Sequence, residues 1–300
     1  MVMRSLEFAA GVVVGFAGRN RASDYARELL GQLGVREVPP AELPAGAPLI
    51  VAGDDVAACT TWGGKGDRGE GAHPFIVRLW DFQVGRAGTG LQSSIVSGVS
   101  CVIGLAARPP LGLPAHLPEK WCGLLGAAIA MTAHVQAEAA PRQHFDVSSA
   151  DILRGFADQN FANHKEFPDS WRRNGRVTLE HGGIYPQGFF PCKDGYVAVV
   201  GRSKADWENI LAALGKPAWA QGELLDPVHL ATHPELVDDL FLGELARFSR
   251  DQLLEVALEC GATFAPVYTP LEAAARELVP ADLYGADGAP RLPFTFFPVV

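Results

Sequence analysis

The sequence predicts an α/β protein: an open, mostly parallel sheet forming a large domain, followed by a small α+β domain. Three observations carry that expectation. Short valine-rich apolar runs alternate with helix-period segments through the first 80 residues, the pattern from which parallel sheets are built. A polar stretch, PDSWRRNGRVTLEHGG, then interrupts the chain. Beyond it, a strand pair around an Asp-Gly turn leads into capped helices, which reads as a separate, smaller unit. The expected division is 1–167 for the first part of the large domain, 168–183 for a linker, 184–270 for the small domain, and 271–300 for a C-terminal segment returning to the large domain.

Gly11 to Ala17 (GVVVGFA) has the form of a strand covered on both faces. A basic residue and an apolar run near the start resemble a secretory leader, but Glu7 breaks the approach and a helix pattern follows without a spacer. A buried first strand explains the run better. GRNRAS turns the chain, and Ser23 is expected to cap a helix with Tyr25, Leu29, Leu30 and Leu33 on one face, ending at Gly34. VREV, PLIVA and PFIVRLW supply the next strands. The glycine-rich GGKGDRGEG (63–71) lacks a GK[ST] ending and a following helix, and GRAGTG (85–90) has no GxGxxG spacing, so neither reads as a phosphate loop.

From Trp121 to Val135 the helix pattern is apolar nearly all round, which places it inside the core or in a subunit interface. In the small domain FFPCKDGYVAVVG forms a strand pair turning at Lys193-Asp194-Gly195. Ser203 caps the helix of Trp207, Ile210, Leu211 and Leu214, which stops at Gly215. SRDQLLEVALECG gives a further helix and TFAPVYT a strand. The apolar end, LPFTFFPVV, is expected to pack against the first domain or a partner subunit.

Composition excludes several classes. With 300 residues, 48% of them hydrophobic, and a net charge of −9, the chain has no basic field for nucleic acid or an anionic membrane surface. No run approaches the roughly 18 to 20 apolar residues of a membrane span. The five scattered cysteines form no CxxC pair, so they read as reduced thiols of a cytoplasmic protein without a metal site.

Chemistry concentrates at LPEKWCGLLG. Glu119 stands at the start of the buried helix, where the dipole favours a carboxylate with or without a catalytic role. His116 lies three residues before it, close enough for an acid/base pair. Cys122 lacks a neighbouring base and reads as an inert thiol, His134 as a core histidine, and His181 as an exposed loop histidine.

The pieces in order resemble the family III CoA-transferases, the group of formyl-CoA transferase, carnitine CoA-transferase and the α-methylacyl-CoA racemases. VVVGFAGRNRASDYARELLGQLG, GTGLQSSIVSGVSCVIG, EKWCGLLGAAIAMTAHVQAEAAPRQHFDVSSAD and YPQGFFPCKDGYVAVVGRSKADWENILAALGKP carry the resemblance. It implies two chains interlocked as linked rings, either a homodimer or a heterodimer with a paralogous chain. It also implies acyl-CoA and a carboxylic acid as substrates, and a carboxylate before the long helix that attacks the thioester. In the related enzymes that carboxylate is an aspartate. Here the position falls on Glu119, one methylene or roughly 1.5 Å longer, and a misplacement of that order can cost about a hundredfold in rate.

The family's CoA-binding Asn-Phe-Arg stretch is replaced by VAGDDVA, whose Asp54 and Asp55 would repel a phosphate. Arg19 and Arg21, with Ala22 and Ser23 at the first helix's N-terminus, are the expected substitutes for holding CoA. The racemase pair is absent, since Thr89-Gly90 stands in its place. The resemblance therefore implies a CoA-transferase using Glu119, with two alternatives: a catalytically degenerate subunit of an intact partner, or a repurposed acyl-CoA lyase, hydratase or isomerase.

Overall fold

The computed structural model describes residues 11–44, 46–62, 75–105, 107–114, 116–136, 143–166, 173, 175–177 and 183–278, without the side chains of 134–136 and 158–166. The His134 side chain, His181, the 63–71 loop, most of the expected linker and the apolar C-terminal run lie outside these residues. Two compact units emerge, one from the described residues of Met1–Ile103 and Pro110–Gln159, the other from those of Gly104–Pro109 and Asn160–Pro280.

The first unit is a five-stranded parallel sheet. Its strands are β1 (Val13–Ala17), β2 (Arg36–Val38), β3 (Leu49–Ala52), β4 (Phe75–Trp80) and β5 (Gln143–Ser148), in spatial order β2-β1-β3-β4-β5. The helices are α1 (Arg21–Gln32), α2 (Val56–Trp62), α3 (Gly90–Val96), α4 (Leu117–Gln136) and α5 (Ser149–Glu166), the last running on into the second unit from Asn160. Every residue of β3 is buried, which is why it reads as a continuous apolar run. Val14, Phe16, Ile50, Val77 and Leu79 pack with Ala22, Ala26 and Leu30 of α1 and Ala127, Ala130 and Ala133 of α4. Ala17, Leu49, Val51 and Ile76 pack with Ala58 of α2, so the sheet has apolar layers on both faces.

Two expectations for α1 need correction. Its N-cap is Asn20, whose side chain accepts from the Ser23 amide, and Ser23 stands three residues later as the reciprocal half of a capping box. Its buried stripe is Ala22, Ser23, Ala26 and Leu30, whereas Tyr25, Leu29 and Leu33 are half-buried. The reason is close packing on α4: a side chain at Gly123 would strike the Ala22 carbonyl and crowd the Ala26 amide at 3.1 Å. Small residues are buried there because only they allow the two backbones to approach.

The second unit contains an antiparallel sheet of β6 (Gln187–Cys192), β7 (Gly195–Val200) and β8 (Phe264–Pro266), in that order. Its helices are α6 (Lys204–Ala213), α7 (Pro227–Thr232), α8 (Asp238–Leu245), α9 (Arg250–Cys260) and α10 (Pro270–Ala275). Cys192 pairs with Gly195, so the hairpin loop is Lys193-Asp194 and Gly195 begins a strand, not the turn. Ser203 caps α6 by accepting from the Asp206 amide at 3.1 Å, as expected. Trp207, Tyr185, Phe190 and Phe241 form the aromatic centre of this unit's core.

Candidate active site

In an open parallel sheet, ligands gather outside the carboxyl ends of the strands, and the connections after β1, β3 and β4 meet there. Asn20 follows β1, Asp54 follows β3, and Asp81 follows β4 immediately. The Asn20 amide nitrogen donates to the Leu79 carbonyl at 2.7 Å and to Asp54 Oδ2 at 2.9 Å, joining the three connections. Asp54 Oδ2 also accepts from the Asp81 amide at 2.9 Å, and Asp54 Oδ1 is buried without a hydrogen-bond partner. Asp55 instead accepts from the Ala58 amide and secures the start of α2.

Asp81 occupies the N-terminus of α1. Its two oxygens accept from the Arg21 amide at 3.0 Å and the Ala22 amide at 2.9 Å, the position a bound anion would take. Burial pushes the Asp81 carboxyl up from 3.8 to about 6, against the downward pull of those two N–H bonds; Asp54 and Glu119 add to the rise.

Glu119 lies in the first turn of α4 and is 2% exposed. Its Oε1 accepts from the Gly90 amide at 2.7 Å, and its Oε2 is buried with no hydrogen-bond partner. Gly90 opens α3, whose Thr89 cap and Gln92 form a capping box that aims the amide. A Cβ at residue 90 would fall inside the Glu119 carboxylate, so the glycine is what admits the glutamate.

His116, with a left-handed φ of 64°, immediately precedes α4, and its Nδ1 lies 3.9 Å from Glu119 Oε1. The structure thus brings Glu119 and His116 together, as their spacing suggests. The residues expected to hold CoA fare differently. Ala22 donates its amide to Asp81, and Ser23 is buried, with its amide bonded to Asn20. Arg21 reaches His116, its Nη1 lying 2.8 Å from Nε2. Arg19 keeps a side chain 75% exposed, with Nε donating to Asp24. The α1 N-terminus is therefore occupied by the protein's own Asp81 carboxylate. Cys122 donates towards the Trp80 and Val147 carbonyls, and burial pushes its thiol up to about 12, consistent with an inert thiol.

Asp81, Gly90 and Asn20 escape a reading of sequence alone. A signal for Asp81 is present, since it ends the apolar run FIVRLW at the carboxyl end of a parallel strand. Gly90 stands where the resemblance places the racemase pair, but its meeting with Glu119, 29 residues away, leaves no local pattern. Among the described residues no cluster of three or more His, Cys, Asp or Glu could hold a metal ion, and no helix is long and apolar enough to cross a membrane.

A buried carboxylate on a helix start, its two oxygens in different surroundings, thus lies in the parallel-sheet unit of an α/β protein. The chain belongs to CoA-transferase family III, which it matches over residues 83–283. That membership supports a CoA-transferase-like function acting on CoA thioesters.

Among solved structures, it is similar to a CAIB/BAIF family protein from Brucella suis, with TM-score 0.77, 16% identity, and coverage of 95% of this chain and 92% of that chain. It is also similar to Rv3272 from Mycobacterium tuberculosis, with TM-score 0.71, 16% identity, and coverage of 96% and 92%. At such identities the likeness shows the fold. Comparison with curated proteins returns no match.

Proposed function

We propose that this protein moves CoA between carboxylic acids, with Glu119 as the covalent carrier. The observation that carries the reading is the asymmetry of its carboxylate: Oε1 is held by the Gly90 amide, while Oε2 is desolvated and bare. A carboxylate is a weak nucleophile in water, and stripping one oxygen of partners raises its reactivity.

Oε2 attacks the carbonyl carbon of the donor acyl-CoA and expels CoA thiolate, leaving a mixed anhydride. The thiolate then attacks the Glu119 acyl carbon and releases the donor acid, giving a glutamyl-CoA thioester. During that attack Oε1 gains negative charge, and the Gly90 amide at 2.7 Å is in place to receive it. An acceptor carboxylate attacks the thioester, forming a second anhydride and freeing CoA thiolate. The thiolate attacks the acceptor's acyl carbon, and Glu119 leaves as carboxylate. No net proton is consumed, and no metal is required.

Glu119→Gln keeps the shape of the side chain and removes its nucleophilic charge, so transfer from an acyl-CoA to a free carboxylic acid should fall at least about a thousandfold. Unchanged transfer by Glu119→Ala sinks the mechanism.

A second reading has its own support: Glu119 is 2% exposed, as suits a closed, structural carboxylate. In that case the chain is the non-catalytic half of a heterodimer. Activity of the purified chain alone as a homodimer decides against it. A lyase, hydratase or isomerase would instead turn over a single acyl-CoA without an acceptor acid.

A further inference from the structure

With Glu119 as carrier, Arg21 has no assigned task, yet its placement is defined at both ends. Its amide is tied to Asp81 Oδ2, which anchors the residue at the end of β4. Its Nη1 lies 2.8 Å from His116 Nε2. A guanidinium has donors and no acceptor, and it stays protonated in proteins. The imidazole nitrogen that meets it must offer a lone pair. The single proton of neutral imidazole is then on Nδ1, the atom that faces Glu119 Oε1 at 3.9 Å.

We propose that Arg21 is a positioning residue that holds His116 as the Nδ1–H tautomer, making His116 a second hydrogen-bond donor to Oε1 beside the Gly90 amide. The proposal rests on Glu119 being the acyl carrier. When CoA thiolate adds to the Glu119 acyl carbon, the carbonyl electron pair moves onto Oε1. Two N–H groups then face that oxygen from different elements, Gly90 from α3 and His116 from the entry to α4. The His116 donor closes its remaining distance as charge develops. Its proton stays on Nδ1, and collapse of the intermediate returns the electron pair and expels the carboxylate. The backbone at His116 is left-handed, uncommon for a residue other than glycine, where the chain enters the first turn of α4.

Nitrogen NMR of histidine-labelled protein reads the tautomer without reference to activity. Near neutral pH the wild type should show His116 with Nδ1 protonated and Nε2 bare. Arg21→Met should move it towards the Nε2–H form and lower kcat on the order of tenfold, as the competent tautomer becomes the minor one, with KM for acyl-CoA unchanged. Arg21→Lys, which keeps a donor, should restore most of the loss. His116→Asn tolerates the left-handed backbone and presents an amide N–H in place of Nδ1–H. In that background Arg21→Met should have no further effect.

An Nε2–H or imidazolium form in the wild type overturns the proposal. So does an Arg21→Met effect of equal size in the His116→Asn background. A raised KM for acyl-CoA with kcat unchanged in Arg21→Met would make Arg21 a CoA ligand instead. An Nδ1–H tautomer in a protein that forms no Glu119 thioester overturns the catalytic half of the proposal together with the reading of Glu119, and leaves the Arg21–His116 arrangement standing.

Discussion

At Gly90 the side chain is absent because the Glu119 carboxylate fills its place. Gly90→Ala should therefore displace the carboxylate from the amide and abolish measurable transfer while the protein still folds, as activity and circular dichroism on the same preparation would show. Glu119→Asp withdraws the carboxylate by roughly 1.5 Å and should cost about a hundredfold in kcat. At Asp81 the prediction concerns stability. Its carboxyl is raised from 3.8 to about 6 by burial, so the folded protein binds this proton more tightly than the unfolded chain. Stability from this group is fully present below pH ~4 and is lost as pH rises to about 6, a change on the order of 3 kcal/mol. Wild type should lose stability relative to Asp81→Asn across that window in urea unfolding; parallel profiles would show that Asp81 is not the titrating group.

Between elements, the tightest constraint is the α1–α4 contact at Gly123. A methyl group there meets the Ala22 backbone, which cannot step aside as a flexible side chain could. Gly123→Ala should destabilise the fold by about 1–3 kcal/mol in denaturant titration. This contact also shows why part of the fold was legible in sequence and part was not. β3 and β4, buried on both faces, produce apolar runs that local pattern detects. The cap at Ser203 acts within a few residues and is equally visible. The buried stripe of α1 was misread because hydrophobicity points to Tyr25, Leu29 and Leu33, whereas the space available beside Gly123 selects Ala22 and Ala26. In the site, Glu119 and His116 share one turn and could be paired from spacing alone. Asp81 and Gly90 come from other elements, and pattern carries no information about such meetings.

For the whole molecule, α4 is apolar nearly all round yet only partly covered: Leu124 is 53% exposed and Leu125 44%. We propose that a second copy of this chain covers that face, since the family resemblance implies an interlocked dimer. Replacing Leu124 and Leu125 together by Lys should leave the unit folded and weaken self-association in sedimentation experiments; an unchanged sedimentation coefficient would remove this face from the interface. Covalent CoA on Glu119 is open to direct detection. Acyl-CoA is incubated with the purified protein, the reaction is quenched in acid, and the peptide containing Glu119 is weighed by mass spectrometry. CoA should be attached to Glu119 through a thioester, absent in Glu119→Gln. Steady turnover with that peptide unmodified would contradict it.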